Sequence, residues 1–342
     1  IIRNKNNPKA LWKIINNSKE AKIIKNCRII PDHFNHFFST IPNTIITSLP
    51  KPKFDPMSVL THLKVSTQYF LFQPVSQIEV RAVLESLRNT NTRDIYGFNV
   101  SLIKGIKNNI IAPLTKLINH CIESNILQNK LLSSKQFGFR KGHSITSAIS
   151  TLLDKITQCF EMKEIYTTAF LDLSKAFDCV SPDILMRKLY FYNFHPSSIN
   201  LIMSYLSNRT QNVYFKESMS DECRIVYGVP QGSILGPILF LLYINDLPQF
   251  IPSADITLYA DDTSLGNAAP SADLSLHVNN RLKVQAGDWF CANRLCLNND
   301  KTVTMQFSLK RDKYCPPVTT KYLGLFIDSE LRWTKHGDYV AT

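Results

Sequence analysis

The stretch that most constrains this chain is Tyr259-Ala260-Asp261-Asp262, set inside Ile256–Leu265. Apolar and β-branched residues run up to two adjacent carboxylates, and a second apolar run follows. That pattern predicts a strand, a tight turn and a returning strand. Two aspartates side by side repel each other, so the local fold gains nothing from the pair. A divalent cation shared with a third acidic group removes the repulsion, and hard oxygen ligands of this kind suit Mg²⁺. A plainer reading exists, because aspartate at a turn also bonds its own backbone. The rest of the chain has to separate the two.

A third carboxylate lies upstream in Thr168–Asp178. Thr167–Leu171 reads as a buried strand, and Asp172 leaves its end. There it could equally be a turn or cap residue. A strand delivering one carboxylate beside a hairpin delivering two is the layout of a two-metal nucleotidyl-transfer site. Strand side chains alternate faces, so Asp261 and Asp262 both reach Asp172 only if the turn bends. Asp261 is expected to be the firmer ligand and Asp262 the second. Between these segments, Gly228, Pro230 and Gly232 constrain a loop where backbone can approach a ligand. Leu235–Ile244 is apolar on nearly every side and predicts a buried helix. The loop is either a turn into that helix or a platform presenting Gln231 to a nucleotide.

The chain has 342 residues, room for two or three subdomains around a substantial core. Its net charge is +12, which favours a polyanionic partner and salt-dependent binding without specifying a fold. The eight cysteines (27, 121, 159, 179, 223, 291, 296 and 315) contain no Cys-x-x-Cys pair. They predict reduced thiols in an intracellular protein and argue against a zinc site. His33 and His36, in an aromatic segment, read as structural. No secretory leader, internal repeat or membrane-length apolar run is evident.

Residues 1–20 are basic and Asn-rich around a short helix near Leu11–Ile15, and Thr40–Pro74, with five prolines, predicts a linker or draped loop. Helical periodicity returns at Ser76, a candidate cap, with Val80, Val83, Leu84 and Leu87 on one face. Asn89–Gly97 reads as a polar turn, Asn109–Ile126 as a second amphipathic helix, and Ser147–Phe160 as a third. Gln136–Ser144 is a basic loop whose Arg140 and Lys141 either hold phosphates or are simply solvated. Ser181-Pro182-Asp183 starts a helix running to about Phe191. Pro196–Asn208 predicts a further helix and Val213–Tyr227 short strands. Leu274–Leu297 reads as amphipathic with Leu282, Trp289 and Leu295 inward. Val303–Phe307 and Tyr322–Ile327 are the last strands.

Six segments in one order carry a resemblance: Gln136–Ser144, Phe170–Asp178, Gly228–Pro237, Tyr259–Asp262, Leu297–Thr302 and Tyr322–Asp328. Together they resemble a reverse transcriptase, most of all those of animal non-LTR retrotransposons (LINEs) of the jockey type. The resemblance implies an α+β right-hand polymerase, with an antiparallel-sheet palm at 167–335 and partial helical fingers at 76–166. Residues 1–75 would be the region joining a lost endonuclease, and no thumb is expected. It implies RNA-directed DNA synthesis, in which a primer 3′-hydroxyl attacks a deoxynucleotide triphosphate. The cofactor would be two Mg²⁺ (Mn²⁺ possible) on Asp172, Asp261 and Asp262. Lys301 would protonate the leaving pyrophosphate. Phe177 would exclude a 2′-hydroxyl, with Gln231, Leu173 and Gly232 bordering the nucleotide. Arg140, Lys141 and the Tyr322-Leu323-Gly324 segment would hold an RNA template and DNA primer. Such relatives carry a longer stretch between Lys130 and Gln136, with triphosphate-binding residues. Its shortness here predicts a partly deleted fingers region, or a gene-model error. The alternative function is an inactive remnant that at most binds nucleic acid.

Overall fold

The computed structural model describes residues 30–62, 75–88, 99–121, 131–140, 142–215, 218–233, 235–309 and 318–341. The expected turn at Asn89–Gly97, the expected short helix near Leu11–Ile15 and all of residues 1–29 and 63–74 lie outside that set. The chain divides into two compact units. One contains described residues up to Ile41 together with Thr210–Ile225, and the other Pro42–Arg209 with the chain from Val226 onward.

The α+β expectation holds. Ten strands occur among the described residues: β1 (Ile165–Leu171), β2 (Arg209–Gln211), β3 (Tyr214–Phe215), β4 (Ser218–Met219), β5 (Cys223–Ile225), β6 (Asp255–Tyr259), β7 (Asp262–Ala269), β8 (Val303–Phe307), β9 (Thr319–Tyr322) and β10 (Leu325–Asp328). The central sheet has the order β6-β7-β1-β8, every pair antiparallel. Alternation along β1 sends its residues into two apolar layers. Tyr166 and Phe170 pack with Leu152 and Ile156 of the helix Ile145–Glu161 and with Met305, Phe307, Tyr322 and Ile327. Ala169 and Leu171 join the larger core with Leu265, Leu282, Trp289 and Phe290, the last three on the helix Ala272–Ala292. Both faces of β1 are therefore covered, and the strand is buried along six of its seven residues.

Leu235–Ile244 is the expected core helix, with Leu239–Ile244 continuously buried. Each such large apolar side chain contributes about 1.5–3 kcal/mol when fully buried. Its end carries what the sequence reading did not foresee. Lys188, on the helix Pro182–Phe191, donates from Nζ to Asp246 Oδ1 at 2.5 Å and to the Tyr243 carbonyl at 2.7 Å. Trp289 Nε1 donates to Asp246 Oδ2 at 3.2 Å. Burial pushes the Lys188 ammonium down, and Asp246 opposes that shift.

Ser76 caps the helix Gln77–Ser86 in a reciprocal box with Glu79, as expected. Val80 and Leu84 are buried against Ile111 of the helix Lys107–Cys121, but Val83 and Leu87 are exposed, so the apolar face is narrower than its spacing implied. The largest correction concerns Thr40–Pro74. Pro31–Ser48 is one helix with Pro42 inside it, and Pro56–His62 is a 3-10 helix. Thr40, Thr47 and Ser48 return hydroxyl bonds to the carbonyls of His36, Asn43 and Ile45, three or four residues earlier. In the smaller unit, Asn35 Nδ2 donates to the carbonyls of Gln211 and Asp221, and Asp32 Oδ1 accepts from Asp221 N.

Cys159, Cys179, Cys223, Cys291 and Cys296 are free thiols, and burial pushes Cys179 up to about 12, which leaves it inert. Among the described residues no helix is long and apolar enough to cross a membrane.

Candidate active site

The site is built where β1 ends and β6 turns into β7. Tyr259 pairs with Asp262, so Ala260 and Asp261 form a two-residue turn. Ala260 adopts φ 57°, a left-handed conformation that the sequence signals only by the tightness of the connection. The β1–β7 register ends at Leu171↔Thr263. One step further along that register, Asp172 stands opposite Asp262. Asp172 is held from behind: Asn298 N donates to its carbonyl at 2.8 Å. The turn continues with Lys301 N and Thr302 N donating to Asn298 O at 3.2 and 3.0 Å. That turn delivers Lys301, whose Nζ lies 3.3 Å from Asp172 Oδ2.

Electrostatically the three carboxylates are in conflict. Burial raises the Asp261 carboxyl above the usual range, its own backbone N–H lowers it, and Asp172 raises it further. Asp262 is open to solvent at its surface yet crowded by protein atoms. That crowding comes first, then the charges of Asp261 and Asp172, and together they push its carboxyl up to about 6. Asp172 Oδ2 is shut off from solvent and accepts no hydrogen bond. The Lys301 ammonium is within ion-pair distance of it but not aligned to donate.

These features fit a divalent cation. A carboxylate oxygen without a hydrogen bond, 3.3 Å from a single ammonium, and two carboxyls raised by crowding are what a bound cation would satisfy. Among the described residues no set of three or more His, Cys, Asp or Glu side chains is gathered closely enough to cage a metal unaided. A Mg²⁺-like ion needs only one or two carboxylates and takes its other oxygens from water or phosphates.

The Gly228–Ser233 loop is fastened to the segment after Asp172. Val229 N donates to Phe177 O at 3.0 Å and Gly228 N to Val180 O at 2.7 Å. A Cβ on Gly228 would lie 2.8 Å from the Asp178 carbonyl oxygen, so the close approach is to this chain's own backbone. Gly232 has open space around it and is needed for its φ of 78°. Gln231 is exposed, and its Nε2 donates to Asp178 Oδ1 at 2.6 Å. Phe177 stacks on Phe240 of the core helix, centroids 4.4 Å apart and planes at 28°.

Two expected side-chain contacts, from Leu173 and Tyr322, need correction. The Leu173 side chain is buried in the core, so only its main chain is available to a nucleotide. Tyr322–Ile327 is two strands rather than one, joined through Leu323 (φ 49°) and Gly324 (φ 88°). Tyr322 is buried 4.7 Å from the Phe170 ring centroid, so its side chain cannot touch a primer, and the exposed Gly324 is the tip. Arg140 Nη1 donates to the Ser133 carbonyl at 2.9 Å, a tie within its own loop. Lys141 lies outside the described residues.

The family described as "Reverse transcriptase (RNA-dependent DNA polymerase)" matches residues 107–327. The chain is similar to the "Probable RNA-directed DNA polymerase from transposon X-element" of Drosophila melanogaster, 27% identical over 88% of this chain and 34% of that protein. It is similar to the "RNA-directed DNA polymerase from mobile element jockey" of the same species, 27% identical over 66% of this chain and 27% of that protein. The chain thus spans about a third of the length of these relatives. Among solved structures, it is similar to a telomerase of Candida tropicalis bound to a telomeric RNA fragment: TM-score 0.45, 12% identity, 67% of this chain and 37% of that one.

Proposed function

We propose, for a chain that belongs to the reverse transcriptase family, that this site performs RNA-directed DNA synthesis in the manner of a jockey-like non-LTR retrotransposon. The supporting observation is the meeting of Asp172 with the Asp261–Asp262 turn, where Asp172 Oδ2 accepts no hydrogen bond and faces only the Lys301 ammonium. Asp172, Asp261 and Asp262 would hold two Mg²⁺, with Mn²⁺ able to substitute. Bound there, the ions supply charge stabilisation for phosphoryl transfer and a lowered pKa for the attacking oxygen.

The chain's own residues do the positioning. Phe177, braced by Phe240, sets a flat wall that leaves no room for a 2′-hydroxyl and so selects deoxynucleotides. Gln231, steadied by Asp178, offers its amide at the edge of the nucleotide. Lys301 moves between two duties: it balances Asp172 when the site is empty of substrate, and its ammonium is placed to give a proton to the departing pyrophosphate. The net charge of +12 supports contacts with the phosphates of an RNA template and a DNA primer. Leu323-Gly324 and Arg140-Lys141 are the segments proposed to meet them.

A second reading is favoured by one sequence observation, the short passage from Lys130 to Gln136. On that reading the chain binds primer–template without extending it. Primer extension on an RNA template with a DNA primer, Mg²⁺ and deoxynucleotides decides between the two. Extension by the parent and none by Asp261→Asn supports the polymerase. Binding by both with extension by neither supports the remnant.

A further inference from the structure

We propose that Gln136 is a positioning residue for the Asp261 carboxylate, acting through the backbone amide of Ala260. The inference rests on the metal-dependent reading of the site given above. β6 is the edge of the central sheet, and its outer side is covered by the segment Lys135–Phe137. Leu258 N donates to Lys135 O at 2.9 Å, and Phe137 N donates to Leu258 O at 2.8 Å. Gln136, between those two bonds, makes a parallel bridge with Leu258, and its side chain is 1% exposed.

The Gln136 oxygen Oε1 accepts two hydrogen bonds, from Gly138 N at 2.9 Å and from Ala260 N at 3.2 Å. Both partners are backbone N–H groups, so the oxygen must face them whichever way the amide is first drawn. Ala260 is the left-handed residue of the turn. A non-glycine residue keeps that conformation only where its surroundings over-determine it. Gly138 closes the same contact from the other side. A Cβ there would lie 2.6 Å from Ala260 N and 3.0 Å from the Tyr259 carbonyl carbon. The loop is itself anchored, since Asn245 Oδ1 accepts from Ser133 N at 2.7 Å and Asn245 Nδ2 donates to Leu131 O at 2.9 Å.

The other half of the amide, Nε2, is buried and makes no hydrogen bond to the described residues. What the side chain does supply is a fixed acceptor at Ala260, the residue next to Asp261. A ligand carboxylate on a two-residue turn moves with that turn.

The test uses the full chain and Mn²⁺ as the probe. Gln136→Met keeps length and removes the acceptor; Gln136→Glu keeps an acceptor. Amide hydrogen exchange across Tyr259–Thr263 reads the turn, and Mn²⁺ binding followed by electron paramagnetic resonance reads the carboxylates. Gln136→Met is expected to speed Ala260 exchange at least tenfold and to weaken Mn²⁺ binding several-fold, with primer–template binding unchanged. Gln136→Glu is expected to keep the Ala260 protection. Should Gln136→Met fail to fold, Gly138→Ala, which drives a methyl against Ala260 N, must give the same two changes. Parental exchange in the Met variant, or faster exchange with parental Mn²⁺ affinity, overturns the proposal. A parent that binds no Mn²⁺ refutes the metal reading of the site, and this inference with it.

Discussion

Replacing Lys188 by methionine removes a buried ammonium and strands a carboxylate. Both side chains of the Lys188–Asp246 pair are 0% exposed. After the change Asp246 keeps Trp289 Nε1 at 3.2 Å and Tyr192 Oη at the 3.5 Å limit of a hydrogen bond. The Tyr243 carbonyl loses its donor, and the ring of Trp289 loses a cation 4.6 Å from its centroid. Breaking one side of a buried pair costs about 3–5 kcal/mol, mostly from the charge left behind. An exposed pair such as Lys53–Asp288, with its lysine 67% exposed, is worth only about 0–1 kcal/mol. The two cases therefore separate cleanly in urea unfolding followed by Trp fluorescence and circular dichroism. Lys188→Met should lose about 3–5 kcal/mol. Lys188→Met with Asp246→Leu should recover most of it, falling short by roughly 1 kcal/mol for the abandoned Trp289 N–H. The loss should also reach the site, because Asn245 beside Asp246 anchors Ser133 and Leu131 at the base of the Gln136 loop. A single variant within 1 kcal/mol of the parent, or a double variant worse than the single, refutes the reasoning.

Crowding by protein atoms, then the charges of Asp261 and Asp172, push the Asp262 carboxyl up to about 6 from its ordinary value of 3.8. Its ionisation therefore opposes folding, with no penalty below about pH 4 and the full penalty above about pH 6. In EDTA, Asp262→Asn should melt higher than the parent at pH 8 and level with it at pH 4; equal melting at pH 8 would sink the idea. Phe177→Val should lower the preference in kcat/KM for deoxynucleotides over ribonucleotides at least tenfold, and unchanged selectivity would remove Phe177 from the gate. Gly228→Ala meets the Asp178 carbonyl at 2.8 Å with φ at 83°, so it should lose at least about 1–2 kcal/mol in urea unfolding. A parental midpoint would mean that the loop has room to move.

Elements with strong local signals were legible. Val303–Phe307 and Leu235–Ile244 have the bounds their apolar runs predict, and Pro182–Phe191 starts at its proline. The helix Pro31–Ser48 was not legible, because Pro42 and the prolines that follow it read as breakers, and a helix can carry one proline when its other bonds are kept. The β9–β10 hairpin was read as one strand because Leu323 is a poor predictor of a left-handed turn, and only Gly324 hinted at it. Lys188 carried a signal that went unused. It lies four residues after Ile184 and three after Leu185, on the buried face of its helix. Charge alone suggested solvent.

The hairpin that carries Asp261 and Asp262 and the strand that ends before Asp172 were legible, because apolar runs broken by adjacent carboxylates mark strands and a tight turn. Their supports were not. Asp172 is steadied by Asn298 N on its carbonyl, and Ala260 by the oxygen of Gln136. A backbone amide as partner leaves no mark in the sequence of the residue it binds. The ranking of Asp261 above Asp262 rested on alternation within one strand. The β1–β7 register ends at Leu171↔Thr263, and carried one step further it would set Asp262, not Asp261, opposite Asp172. Asp261, on the turn itself, reaches the others by the bend at Ala260. That bend is a left-handed alanine with two repelling carboxylates beyond it, an arrangement that weakens the fold wherever no cation is bound. A chain organised for stability alone would place glycine and a neutral side chain there. The left-handed alanine lies beside the paired carboxylates, and the side-chain contact that holds it comes from Gln136, more than a hundred residues earlier in the chain.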